Sequence, residues 1–378
     1  MNYKIAVIKG DGIGPEIVDA TLNVLETLGR KFGHQFKYNY LLAGGAALDS
    51  ESTPLPKKTI KACKNSDAVL LGAVGDPKWD NQPVENRPEK GILDLREELG
   101  LFVNIMPVVV WKQLSGSSPL RTDIISDNPD ILIVRESCGG MYFGPKGTDV
   151  VKGKSKTTKL LNQLSGQKSL PEGRFAYDIE QYSEVEIRKV ATLAFEMAKT
   201  RQKLLTSVDM SNILESSRLW RAVVSEVHVK YPEVRLDHMY MDNVIRQLIK
   251  NPGRFDVLLT SNMFGDILSS EAGQIVGSIG MLPSAGLGED NFGLYEPVHG
   301  SVPKYAGENL ANPIATILSA SMMLRYTLGL DNEADSIERA VGKFLDLGCR
   351  TPDIMYEGAK SIGTAETGKQ IATLISEE

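Results

Sequence analysis

The run Ser261-Asn-Met-Phe-Gly-Asp-Ile-Leu-Ser-Ser-Glu-Ala-Gly-Gln-Ile-Val-Gly-Ser-Ile-Gly280 follows an apolar, strand-like segment containing Phe255, Val257, Leu258 and Leu259. Small residues at helical spacing take over, and glycines close the run. Asp266 sits near the strand-to-helix junction, where a carboxylate can face a cleft. Gly265, just before it, is expected to leave room for a ligand or metal to approach. The same change of period recurs along the chain. Residues 4–8, 68–73 and 131–134 read as apolar strands, and residues 184–199 as a helix. Residues 206–215 and 236–243 turn from strand into helix. Alternation of this kind predicts an α/β protein with a large, partly parallel sheet.

With 378 residues the chain has room for two domains or one large α/β unit. A composition of 42% hydrophobic and 24% charged residues is ordinary for a globular protein. The net charge of −6 gives no electrostatic reason to expect nucleic acid or an anionic membrane. Cys63, Cys138 and Cys349 lie far apart without CxxC spacing, which argues against a disulfide framework or structural zinc and suits a reducing compartment. No apolar run approaches the ~20 residues of a membrane span. The first residues read as a strand rather than a signal peptide, so a cytoplasmic protein is expected. The lysines at 146, 152, 154, 156 and 159 lack interleaved aromatics and read as a solvated arm. In Lys9-Gly-Asp-Gly-Ile-Gly-Pro-Glu-Ile17, the glycines permit a tight turn with exposed backbone N–H groups, and Pro15 suits the first turn of a helix. The spacing is GxGxG and not the dinucleotide fingerprint. A ligand loop and a plain structural turn both stand at this point.

Several blocks appear in one order and spacing: Gly10-Asp-Gly-Ile-Gly-Pro-Glu16, residues 87–107, 134–144, 206–215 and 262–268, Asp242, Gly293-Leu-Tyr-Glu-Pro-Val-His-Gly-Ser301, and residues 312–325. Together they resemble the β-decarboxylating dehydrogenases, the family of 3-isopropylmalate and isocitrate dehydrogenases, across essentially the whole chain. The resemblance implies a two-domain α/β fold with a large mixed sheet, distinct from a Rossmann fold. Residues 1–101 with 257–378 would form the cofactor-side domain, and residues 102–256 the domain with the substrate side and dimer contacts. It implies at least a homodimer whose active sites are each completed by the neighbouring subunit. The implied reaction oxidises a small 2-hydroxy dicarboxylate with NAD or NADP and then removes its β-carboxylate, as in leucine biosynthesis. Such chemistry calls for arginines to hold carboxylates, a Lewis-acidic Mg²⁺ or Mn²⁺, a base and an acid.

Carried over by position, the resemblance makes Arg96 and Arg135 substrate arginines, Tyr142 the acid, and Asp242 and Asp266 metal ligands. Glu89, Ile92, Leu93 and Ile213 would line the pocket that admits a branched alkyl group. Ile13, Glu89, Asn212, His299, Gly300, Lys304, Tyr305 and Asn312 would contact the cofactor. Lys304-Tyr305 resembles the pair that holds the 2′-phosphate in NADP-dependent members, whereas Ala311 resembles the NAD type. Pro352 and Tyr356 stand where that phosphate site would be completed, so the cofactor code is mixed and leans to NADP. Three positions depart from the family pattern: Met106 for a third arginine, Met210 for the catalytic lysine, and Ser270 for a third aspartate. Loss of a base costs about 10²–10⁴-fold. The resemblance therefore leaves an active dehydrogenase, an impaired or regulatory paralogue paired with an active one, and an altered substrate as readings.

Overall fold

A computed structural model describes residues 1–151, 159, 162–163, 165–166 and 171–378. The strands at its centre are buried on both faces, as sheets with helices packed against them require. Strand β3 (Ala68–Ala73) and strand β10 (Val257–Thr260) are buried at every position. In chain order the strands are β1 (Asn2–Gly10), β2 (Gln35–Leu41), β3, β4 (Val103–Val109), β5 (Asp130–Glu136), β6 (Lys146–Val151), β7 (Gly173–Asp178), β8 (Leu204–Asp209), β9 (Arg235–Tyr240), β10, β11 (Pro283–Leu287), β12 (Gly293–Pro297), β13 (Cys349–Arg350) and β14 (Lys360–Ser361).

One 10-stranded sheet runs β2-β1-β3-β12-β11-β4-β5-β10-β8-β9. Its flanks are parallel: β2, β1, β3 and β12 on one side, β5, β10, β8 and β9 on the other. The flanks meet through antiparallel pairs β12–β11, β11–β4 and β4–β5. This is the large mixed α/β sheet expected from the sequence. Strand β10, although it follows residue 256, lies between β5 and β8. Strands β6 and β7 form a separate antiparallel hairpin. Lys146 opens it and Lys159 is exposed, while Lys152, Lys154 and Lys156 lie outside the described residues.

The helix Gly14–Phe32 packs against the C-terminal helix Thr364–Glu377, where a Cβ at Gly368 would lie 2.9 Å from Ala20 Cβ. The helix Ile314–Tyr326 packs on β11 and β12 and is buried from Ile314 through Leu324. Among the described residues, no helix is long and apolar enough to cross a membrane.

The glycine loop after β1 is tied down by backbone hydrogen bonds. The N–H groups of Asp11 and Ile13 donate to Ala73 O (2.7 Å) and Ser301 O (2.8 Å). Gly12 has φ +56°, and a Cβ there would lie 2.0 Å from Ser301 O. The buried Asp11 carboxylate accepts from the N–H groups of Gly45 (2.8 Å), Ala46 (2.7 Å) and Gly75 (2.9 Å). The loop thus stitches β1, β3 and the segment after β12 at one end of the sheet.

Candidate active site

Above the antiparallel centre of the sheet lies a cleft of about 410 Å³. Strand ends and helix starts supply its walls. The end of β3 gives Gly72 and Ala73, the helix Pro88–Glu98 gives Glu89, Ile92, Leu93 and Arg96, and β4 gives Asn104 and Met106. Arg135 comes from β5, Asp266 from the helix Asn262–Ile275, and Ser284 and Glu296 from β11 and β12. His299 and Gly300 close the far side.

Arg135 is the hub. Its Nη1 donates to Asp266 Oδ1 at 2.6 Å, and its Nε (3.1 Å) and Nη2 (2.8 Å) both donate to Asn262 Oδ1. The Asn262 amide in turn donates to Gly139 O at 3.0 Å, and its backbone N–H donates to Tyr182 Oη at 2.9 Å. Gly265 makes this arrangement possible. A Cβ there would meet Arg135 Cγ at 2.6 Å and Thr260 Oγ1 at 2.5 Å. The space before Asp266 therefore belongs to the stem of Arg135 and not to a ligand or metal, as the sequence had suggested. Burial pulls the Arg135 guanidinium below its ordinary range, and the Asp266 carboxylate opposes that pull.

Tyr142 donates to Asp266 Oδ2 at 2.8 Å, so both oxygens of that carboxylate are engaged. Burial and then the bond to Asp266 push the Tyr142 phenol above its usual range, which keeps it protonated at neutral pH. The preceding Gly139-Gly140 has a local cause. Gly140 has φ +71°, and a Cβ there would lie 2.3 Å from Tyr182 Oη. Behind this turn is Glu136, which accepts from the N–H groups of Cys138 (2.7 Å) and Gly139 (3.0 Å). Burial pushes its carboxyl up to about 7 against those bonds.

On the opposite wall Arg96 Nη2 lies 2.5 Å from Glu296 Oε1. Burial works against the Arg96 charge, and the Glu296 carboxylate more than restores it. His299 is buried, and burial lowers its pKa. Its Nδ1 lies 2.9 Å from Gly300 O, and a carbonyl only accepts, so Nδ1 carries the proton. Nε2 is left as a bare acceptor, buried and without a hydrogen-bond partner among the described residues.

Of the residues singled out from the sequence, the cleft gathers Glu89, Ile92, Leu93, Arg96, Arg135, Tyr142, Asp266, His299 and Gly300. A second group gathers elsewhere, at the adjoining ends of the parallel strands β8 and β9. There Asn212 and Ile213 are exposed, Ile213 by 67%, and the Asp242 side chain is exposed at the start of the helix Met241–Lys250. Met210 is partly buried against the core, and its carbonyl accepts from the N–H groups of Ile213 and Leu214, both at 2.9 Å. Ile13 is buried at the glycine turn. Lys304 Nζ sits 4.7 Å from the ring centre of the exposed Tyr305. The Asn312 amide is occupied internally, donating to Asp353 Oδ2 at 3.1 Å and accepting from Ile314 N–H at 3.0 Å.

Sequence reasoning missed Glu296, Asn262, Asn104 and Lys146. Lys146 lines the cleft and its Nζ donates to Tyr142 O at 2.9 Å. Glu296 stands three residues before His299, in a block already quoted for other reasons.

The Asp266 oxygens are engaged, Asp242 lies outside the cleft, and Ser270 Oγ bonds back to Asp266 O at 3.2 Å. Among the described residues, no three His, Cys, Asp or Glu side chains converge as a metal-binding group. One chain by itself therefore does not fit a divalent-ion site. A dinucleotide fits better. The orphaned His299 Nε2 suits an amine donor, and a Cβ at Gly300 would meet nothing within 4 Å, so a flat ligand can approach.

A family model described as isocitrate/isopropylmalate dehydrogenase matches residues 4–371. The 3-isopropylmalate dehydrogenase of Clostridium acetobutylicum is 51% identical over 369 residues, covering 98% of each chain. That of Aquifex aeolicus is 50% identical over 370 residues, covering 98% of this chain and 96% of its own. Among solved structures, isocitrate dehydrogenase from Methylococcus capsulatus superposes with a TM-score of 0.82 at 29% identity, covering 99% of both chains.

Proposed function

The chain belongs to the isocitrate/isopropylmalate dehydrogenase family, and from that premise we propose that it oxidatively decarboxylates 3-isopropylmalate with a nicotinamide cofactor in the cytoplasm. The observation that carries this reading is the meeting of Arg96, Arg135 and the Tyr142–Asp266 pair beside the apolar Ile92 and Leu93 in one cleft. Guanidinium groups match carboxylates, and an aliphatic wall suits a branched alkyl group.

In this reading Arg96 and Arg135 hold the two substrate carboxylates with the N–H groups not given to Glu296, Asn262 and Asp266. Ile92 and Leu93, with Met106, take the isopropyl group and exclude water from it. The 2-hydroxyl carbon gives its hydride to the nicotinamide and the hydroxyl proton passes to solvent; the β-carboxylate then leaves as CO₂ and its bonding pair remains as an enolate. Tyr142 gives its phenolic proton to that carbon, and Asp266 holds the hydroxyl in line until it does. A nicotinamide dinucleotide bound beside His299 and Gly300 supplies the hydride acceptor. Lys304 and Tyr305 favour the phosphate of NADP. Mg²⁺ or Mn²⁺ would need Asp242 from a second copy of the chain beside Asp266, which is the motive for proposing a homodimer. The two-domain division of 1–101 with 257–378 against 102–256 also stands as a proposal, although β10, which opens the second stretch, pairs with β5 and β8 of the 102–256 segment.

A second reading is an impaired or regulatory paralogue, and a specific observation favours it. Met106 is 1% exposed on the cleft floor and Met210 packs on the core, so neither position offers a cation or a base. The test is an assay of the purified chain with 3-isopropylmalate, Mg²⁺ or Mn²⁺, and NAD or NADP. Turnover near the ~10 s⁻¹ of ordinary enzymes supports dehydrogenase function. Turnover that appears only after Met210→Lys with Met106→Arg and Ser270→Asp supports the paralogue.

A further inference from the structure

We propose that Asn104 is a substrate-binding residue of this cleft, its side-chain amide reading the hydroxyl and neighbouring carboxylate of a 2-hydroxy acid. The inference rests on the functional reading above and names a contact that reading does not contain.

Asn104 is only 6% exposed, yet its Oδ1 is shut off from solvent with no hydrogen-bond partner among the described residues. Buried side-chain oxygens are seldom left this way, because the lost hydration is not recovered. The placement explains why nothing in the chain satisfies it. On β4, Asn104 stands opposite Arg135 of β5 and opposite Gly286 of β11. Arg135 makes no bond to it, donating to Asn262 and Asp266 instead. Gly286 has no side chain to offer. Two residues along the strand and on the same face, Met106 has no strong polar group either. The amide therefore lies on the cleft floor, beside the hub arginine, with its polar atoms uncommitted.

An amide both accepts and donates. With neither end bonded among the described residues the amide is free to turn, and once Oδ1 faces the cleft a hydroxyl can donate to it while a carboxylate accepts from Nδ2. A 2-hydroxy acid carries these two groups on adjacent carbons, and Arg135 alongside supplies charge for the carboxylate. A keto or deoxy compound lacks the donor and leaves Oδ1 unpaired.

The test compares binding of 3-isopropylmalate and of its deoxy analogue isopropylsuccinate to the full chain, by calorimetry with Mg²⁺ present, for wild type and Asn104→Leu. Thermal unfolding is followed in parallel. The expected result is that wild type prefers the hydroxy acid by about tenfold, that Asn104→Leu abolishes the preference, and that its Tm is equal to or above wild type. A merely structural asparagine would do the opposite, lowering Tm and leaving the preference intact. If Asn104→Leu does not fold, Asn104→Ala is read for the same ratio. An unchanged preference in the folded variant overturns the inference and leaves the functional reading standing. Failure of wild type to bind either compound overturns both.

Discussion

At Gly265 a Cβ would crowd Thr260 Oγ1 and the Arg135 stem at 2.5–2.6 Å, so Gly265→Ala must push Arg135 off Asp266 and Asn262. Overpacking of this kind costs about 1–3 kcal/mol, and the expected outcome is a lower Tm together with a raised KM. Tyr142→Phe keeps the ring and removes the proton. It is expected to lower kcat by about 10²–10⁴-fold with an unchanged circular dichroism spectrum. Glu136 gives a pH signature. Its carboxyl is raised from 4.5 to about 7 by burial, so the folded state prefers the protonated form. Its contribution is fully present below the unfolded value and is lost as pH rises toward 7. Chemical denaturation of wild type against Glu136→Gln should show wild type losing up to about 3 kcal/mol relative to the variant between about pH 5 and pH 8. A flat difference across that range would contradict the buried, proton-holding carboxyl.

The turn after β1 shows what a short element contributes. Its glycines left a ligand loop and a structural turn both open, and the N–H groups of Asp11 and Ile13 go to Ala73 O and Ser301 O. Asp11 is the working residue there, holding three backbone donors from two other segments. Asp11→Ala would leave those donors unpaired, each at about 1–3 kcal/mol, and thermal unfolding should show a loss large enough to threaten folding. Strand and helix positions were legible because burial on both faces demands apolar runs, as in Ala68–Ala73, and helical spacing marks residues such as Glu184–Lys199. The hairpin β6–β7 was not, since both strands open on polar or glycine residues and only Val151, Phe175 and Tyr177 pack together.

Across the whole molecule the order of blocks disclosed the family, and the mixed sheet follows it. The cleft was legible where the resemblance carries a residue over by position, as with Arg96, Arg135 and Tyr142. It was illegible where a common residue acquires its role from register alone. Asn104 faces the cleft only because β4 runs antiparallel to β5 with Arg135 opposite, and no local pattern announces that. Asn212, Ile213 and Asp242 lie outside the cleft walls, at the adjoining ends of β8 and β9. If two copies complete one another, mixing Tyr142→Phe and Asp242→Asn variants should recover part of the activity that each lacks alone. The most direct measurement is stoichiometric formation of NAD(P)H and CO₂ from 3-isopropylmalate by the wild-type chain, with Tyr142→Phe run beside it. Turnover that depends on Tyr142 is the expected result. No product with either cofactor and either divalent ion, or equal turnover in the variant, would contradict the assignment of this cleft as the catalytic site.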